Sequence, residues 1–139
     1  MASHVDSVRN VYTAFARGDI QPLLDLLGER VQWYEAEHVT YWPGGPFVGA
    51  QAIVEGVLAR IPGDFDGFEI EISRITGCGE TVLMEGRYHA TAKSTGRTLD
   101  AQVAHVWDFE NGKVVRWQQY SDTWQFAEVT GVAPLSTVS

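Results

Sequence analysis

The sequence predicts an α+β fold in which a curved antiparallel sheet wraps three N-terminal helices into a cone and encloses an apolar pocket. Three observations carry that expectation. Apolar residues recur at helical spacing in three segments of the first half of the chain, and from Phe68 onward they alternate along four long segments. Those four are separated by "GCGE", "KSTG" and "ENG", turn signals short enough for hairpins. Helices first and strands afterwards is the order of an α+β domain, not the strand-helix alternation of a parallel sheet.

In chain order, Val5, Val8, Val11, Tyr12 and Phe15 mark a helix from Val5 to Arg17, with Gly18 at the position of a C-cap. Asp19 can cap a short second helix, whose stripe is Ile20, Leu23, Leu24 and Leu27 before Gly28. "RVQWYEA" then alternates, Val31, Trp33 and Glu35 against Gln32 and Tyr34, and reads as the first strand. The loop "EHVTYWPGGPF" follows, with two prolines and two glycines, and Ile53, Val57, Leu58 and Ile61 fit a third helix between Gly49 and Ile61. "PGDFDG" breaks the chain. Strands are expected over Phe68 to Thr76, Thr81 to Ala92, Thr98 to Phe109 and Val114 to Trp124.

At 139 residues the chain has the size of one domain, with a core from about 5 to 128 and a small polar tail over 129–139. Its 45% hydrophobic and 20% charged content is that of a globular protein. A net charge of -8 with scattered Lys and Arg offers no basic stripe, which argues against nucleic acid and anionic membranes as partners. No window approaches the roughly 18 apolar residues of a membrane span and no signal peptide opens the chain, so a cytoplasmic location is the default. Cys78 is the lone cysteine, and no His or Cys spacing suggests a metal. "GCG" and "PGGP" lack the lysine and helix of a phosphate loop, and no G-x-S-x-G elbow is present. No cofactor is expected.

The residues that can carry chemistry are few. In "AHVWDF" one alternation face, Val103, His105, Trp107 and Phe109, is apolar except for an imidazole. Glu35 shares its alternation with Trp33, and Asp122 closes the last strand in "QQYSDTW". A carboxylate or imidazole in an apolar pocket has its pKa moved by desolvation, which is how acid/base groups are tuned toward neutral pH. Each also has a plainer reading: His105 as a hydrogen-bonded core residue, Glu35 as a solvated rim position, Asp122 as a cap of the C-terminal segment. Trp33, Trp107, Trp117, Tyr88 and Tyr12, with Gln119, are candidate walls for a hydrophobic small-molecule ligand. His38 and His89 have weaker cases, and His4 lies near the terminus.

"VRNVYTAFARGDIQPLLDLLGERVQWYEA", "PFVGAQAIVEGVLARI" and "AHVWDFENGKVVRWQQYSD", in this order and spacing, resemble the SnoaL-like and ketosteroid-isomerase-related branch of the nuclear-transport-factor-2-like superfamily. That resemblance implies a cystatin-like α+β barrel, a homodimer formed through the sheet, and a deep apolar pocket. It also implies a choice among isomerases, cyclases, dehydratases, hydrolases and members without catalysis, because fold alone does not fix chemistry. In ketosteroid isomerase, a worked example of pKa tuning, a carboxylate base works opposite a tyrosine and a protonated aspartate. Counting from Gly18-Asp19, that base falls on Glu35 and the tyrosine on Val11, one position before Tyr12, while the second donor falls on Ala104 or His105. In SnoaL-like cyclases the acid/base pair matches His105 and Asp122. The resemblance therefore implies Asp122 and His105 as catalytic groups, with Glu35 as a second carboxylate.

Overall fold

A computed structural model describes residues 3–134. Helix α1 (His4–Phe15) starts where Ser3 and Asp6 form a capping box, and the chain turns out of it at Gly18, whose φ of 78° favours a residue without Cβ. In α2 (Gln21–Leu26) Pro22 occupies the first turn, where no N–H is needed, and the Asp19 carboxylate accepts from the Gln21 N–H at 3.0 Å. Strand β1 (Leu27–Tyr34) follows directly, and the loop after it contributes a two-residue edge strand, β2 (Phe47–Val48).

The third helix, expected between Gly49 and Ile61, is formed by α3 (Ala50–Ile53) and a π-helical turn (Val54–Leu58), and a further short helix, α4 (Ile61–Asp64), occupies the start of the segment expected to break the chain. Gly56 lies in the π-helical turn where any Cβ would collide with the Phe47 ring. The meander then runs through β3 (Phe65–Cys78), β4 (Thr81–Ala92), β5 (Thr98–Glu110) and β6 (Lys113–Ser121).

The six strands form one curved, unclosed sheet in the order β2-β1-β6-β5-β4-β3. All pairs are antiparallel except β1 with β6, which is parallel and makes the sheet mixed, not uniformly antiparallel. The reason is topological: no hairpin joins β1 to β6, so no turn dictates their relative direction. Where β3 shifts register between Ile72 and Arg74, Gly86 lies opposite, so close to β3 that a Cβ would strike the Glu71 carbonyl. A bulge facing a glycine is how a long sheet bends.

The last strand is shorter than its alternation suggests. It stops at Ser121, and Asp122 caps a further helix, α5 (Thr123–Val129), which buries Phe126 and Val129. The expected tail therefore begins inside a helix, and its final five residues lie outside the described residues. Helix α1 packs against β3 and β4 and α5 against β5. Burial alternates strictly on β4, and on β5 it selects Leu99, Ala101, Val103, His105, Trp107 and Phe109. This inner face, the helices and β1 share one hydrophobic core. Among the described residues no helix is long and apolar enough to cross a membrane.

Candidate functional site

Register places the polar groups of the core beside one another. On adjacent strands Trp33, Trp117 and Trp107 form one row, and the next inward position along holds Gln119 opposite His105. The choice between Ala104 and His105 is thereby decided: β5 turns His105 inward, where it is 3% exposed, and Ala104 outward. Tyr88 comes in from β4, and Tyr12 from α1, where Val11 and Tyr12 are both buried. The offset of one residue from Val11 to Tyr12 does not exclude the phenol, because the buried face of α1 is wide enough to include both.

These side chains form a continuous hydrogen-bonded chain. The Tyr12 hydroxyl lies 2.6 Å from His105 Nδ1 and accepts from Trp107 Nε1 at 2.9 Å. The Tyr88 hydroxyl lies 2.7 Å from His105 Nε2 and accepts from Gln119 Nε2 at 2.6 Å. Gln119 is oriented by its other end, because its Oε1 accepts from the Ala36 N–H at 3.1 Å. A backbone N–H can only donate, so the amide nitrogen must face Tyr88.

Glu35, just past β1, is 4% exposed and accepts from Trp33 Nε1 at 2.9 Å. Burial pushes its carboxyl up to about 7, with the Trp33 N–H pulling in the opposite direction. Burial drives His105 down to about 3, so the imidazole is neutral at physiological pH. Burial likewise raises the Tyr12 phenol well above its ordinary value, and raises that of Tyr88, which the Glu35 charge lifts further. The chemistry on offer is a carboxyl poised to gain or lose a proton near pH 7, close to hydroxyls that stay protonated.

Glu35, Tyr12, Tyr88, His105 and Gln119 all line one cavity enclosing about 70 Å³ open to water, whose remaining wall is almost wholly apolar. At ~10–15 Å³ per water this is room for about five waters, or for a small ring system. Trp33 and Trp117 stack at 3.7 Å along one side, and the Trp117 indole N–H is buried without a partner. Glu35 and Gln119 also border a shallow surface groove with Trp42, Gly44 and Gly45. Among the described residues, no three His, Cys, Asp or Glu side chains are grouped as a metal site requires.

The comparisons with known proteins agree with this geometry. A SnoaL-like domain model matches residues 8–117. The chain belongs to the SnoaL-like domain family. No curated protein matches it. Among solved structures, this SnoaL-like domain is similar to an NTF2-like protein from Burkholderia thailandensis, at 28% identity and a TM-score of 0.88 over 96% of this chain and 100% of that one. It is also similar to TerC co-crystallised with polyporic acid, at 25% identity and a TM-score of 0.79 over 91% and 97%. A protein from Catenulispora acidiphila with a ketosteroid isomerase-like fold, 16% identical, shares the fold alone, at a TM-score of 0.74 over 94% and 95%.

Of the residues singled out in the sequence, the SnoaL-like cavity brings together Glu35, His105, Trp33, Tyr12, Tyr88, Trp107, Trp117 and Gln119. Asp122 stands apart. Its carboxylate accepts from the Gln125 N–H at 3.1 Å as the N-cap of α5, and it does not line the cavity. The helix it caps was hidden because "QQYSDTW" continues the alternation of β6, and with it Phe126, which closes one side of the cavity, went unrecognised. The spacing of Phe126 and Val129 after an Asp was the signal available. Phe65 and Phe68, also in the wall, sit at the start of β3; Phe65 falls in the segment expected to break the chain, and Phe68 opens the strand expected to follow it.

Proposed function

We propose that this SnoaL-like domain is an enzyme that moves a proton on a hydrophobic carbonyl compound without a cofactor, in an isomerisation, cyclisation or elimination. One observation carries the reading: a buried carboxyl shifted to about 7 shares an apolar cavity with phenolic hydroxyls held by a neutral imidazole. Glu35, as carboxylate, removes a proton from the carbon beside the carbonyl. A phenolic O–H stabilises the oxygen as it gains negative charge, in a site where water does not compete. Glu35, now protonated, returns its proton at a second position. His105 is the scaffold for the hydroxyls, because an imidazole held neutral to about pH 3 does not titrate in the working range. The apolar wall selects for hydrophobic rings, and TerC was co-crystallised with polyporic acid.

The direct test is exchange of α-protons for deuterium in D₂O, followed by NMR for a panel of cyclic and aryl ketones. Exchange above the buffer rate that vanishes in Glu35→Gln supports the reading. Ketones that neither bind nor exchange refute it. A second reading, a binding module of the same fold, is favoured by the fact that both His105 nitrogens are already engaged by the protein. Its signature is saturable binding with no exchange. A homodimer through the outer face of the sheet belongs to the same proposal, since Tyr120, 57% exposed, projects from β6 among residues of β4 and β5. Light scattering in solution tests it.

A further inference from the structure

The hydrogen count of the buried network is more informative than its distances. A neutral imidazole has one N–H and one lone pair, so it donates once and accepts once. Both of its neighbours are hydroxyls, each with one proton, and each hydroxyl oxygen already accepts from a donor whose direction is fixed: the Trp107 indole N–H for Tyr12, the Gln119 amide for Tyr88. One phenol can therefore donate to His105, and the other must accept from it. If both phenols donated, two protons would face each other across a contact of 2.6 or 2.7 Å. If both accepted, His105 would be a buried cation, which its full burial opposes. The proton of the accepting phenol is thus left without a protein partner.

Position decides which phenol that is. Gln119 spans from the Ala36 N–H to the Tyr88 hydroxyl, so Tyr88 lies one amide group away from the residue adjoining Glu35. Tyr12 is instead held by Trp107. A free O–H dipole is lowest in energy with its proton toward a nearby anion. We infer that His105 is a positioning residue, held as the Nε2–H tautomer, which takes the Tyr12 proton on Nδ1, donates to the Tyr88 oxygen, and so leaves the Tyr88 hydroxyl proton for an oxygen acceptor on the ligand.

This rests on the proposed carbonyl chemistry for the identity of the acceptor, though not for the tautomer. It gives the two phenols different roles. Tyr12 is committed to the scaffold, and Tyr88 is the donor that meets the ligand. It also states what the ligand must carry: an acceptor oxygen placed within reach of both Tyr88 and Glu35. A hydrocarbon of the same shape would leave that proton unpaired in an apolar cavity and bind more weakly.

The experiment has two arms. In wild-type protein labelled with ¹⁵N-histidine, the ring nitrogen shifts and their couplings to the ring protons identify the tautomer of His105 directly. Protonation at Nε2 alone is expected at pH 8 to 9, where the Glu35 carboxyl is ionised. Protonation at Nδ1 alone, or at both nitrogens, overturns the inference, and neither result depends on a variant folding. In the second arm the carbonyl stretch of bound 2-cyclohexen-1-one is read by infrared difference spectroscopy. The lowering of its frequency should disappear in Tyr88→Phe and persist in Tyr12→Phe, and the reverse dependence overturns the assignment of Tyr88. If the ketone does not bind while Nε2 carries the proton, the tautomer assignment stands and the carbonyl reading is what fails.

Discussion

Replacing Glu35 with glutamine keeps an oxygen for the Trp33 indole N–H and removes the charge, so it isolates what ionisation costs in this cavity. The carboxyl moves from 4.5 to about 7 on burial. A group whose folded pKa is raised binds its proton more tightly in the native state, so its stabilising contribution is complete below about pH 4.5 and is lost as pH rises through 7. At about 1.4 kcal/mol per pH unit, the interval from 4.5 to about 7 corresponds to about 3 kcal/mol once ionisation is complete. For a chain of this length that is roughly 10 °C in Tm. The assay is urea denaturation of both proteins at half-unit steps from pH 4.5 to 9. Near pH 4.5 the two should be of similar stability, and above pH 8 the variant should be more stable by up to about 3 kcal/mol. Parallel stability curves would show that Glu35 titrates as an ordinary solvated carboxylate, and the base assignment would fall with it. The same variant should show no ketone exchange, so the residue that destabilises the fold is the one the chemistry needs.

Other perturbations separate the remaining roles. Trp33→Phe removes the N–H that lowers the Glu35 pKa, so the Glu35 midpoint, followed by NMR of ¹³C-labelled glutamate, should move above about 7; an unmoved midpoint would show that the indole has no hold on the carboxyl. His105→Leu strips the shared partner from the Tyr12 and Tyr88 hydroxyls and should cost about 2–5 kcal/mol in urea denaturation, the penalty for two buried groups left under-bonded. A loss below about 1 kcal/mol would mean that the hydroxyls find other partners. Asp122→Ala should cost about 1 kcal/mol through loss of the α5 cap, with ketone binding and exchange unchanged. Lost exchange at unchanged stability would instead return Asp122 to the site.

Much of the site was legible because strand alternation has a period of two. Once Val103, Trp107 and Phe109 define the inner face of β5, His105 must share it, and the same rule links Trp117 with Gln119. Glu35 was legible as a position but not as an environment. Its place at the edge of a glycine-rich loop is compatible with solvent, but the loop folds Val39 and Tyr41 into the cavity wall beside it, and Tyr88 and Gln119 join them from strands far away in sequence. Asp122 shows the converse. Its place at the end of the last expected strand matches the acid/base aspartate implied by the resemblance to SnoaL-like cyclases, but the segment after it follows helical spacing, and the carboxylate is used in turning the chain.

Local periodicity and turn chemistry are enough to place the first two helices, the hairpins of the meander and the residues that face inward on β1 and β5, but not the edge strand β2 or helix α5. Only the tertiary structure decided that β1 lies parallel beside β6, that α1 delivers Tyr12 to Nδ1 while β4 delivers Tyr88 to Nε2, and that Glu35 and not Asp122 shares the cavity with them. Those are contacts between segments distant in the chain, fixed by the simultaneous packing of sheet and helices. No local pattern encodes which hydroxyl will meet which ring nitrogen, or how far burial will move a carboxyl's pKa.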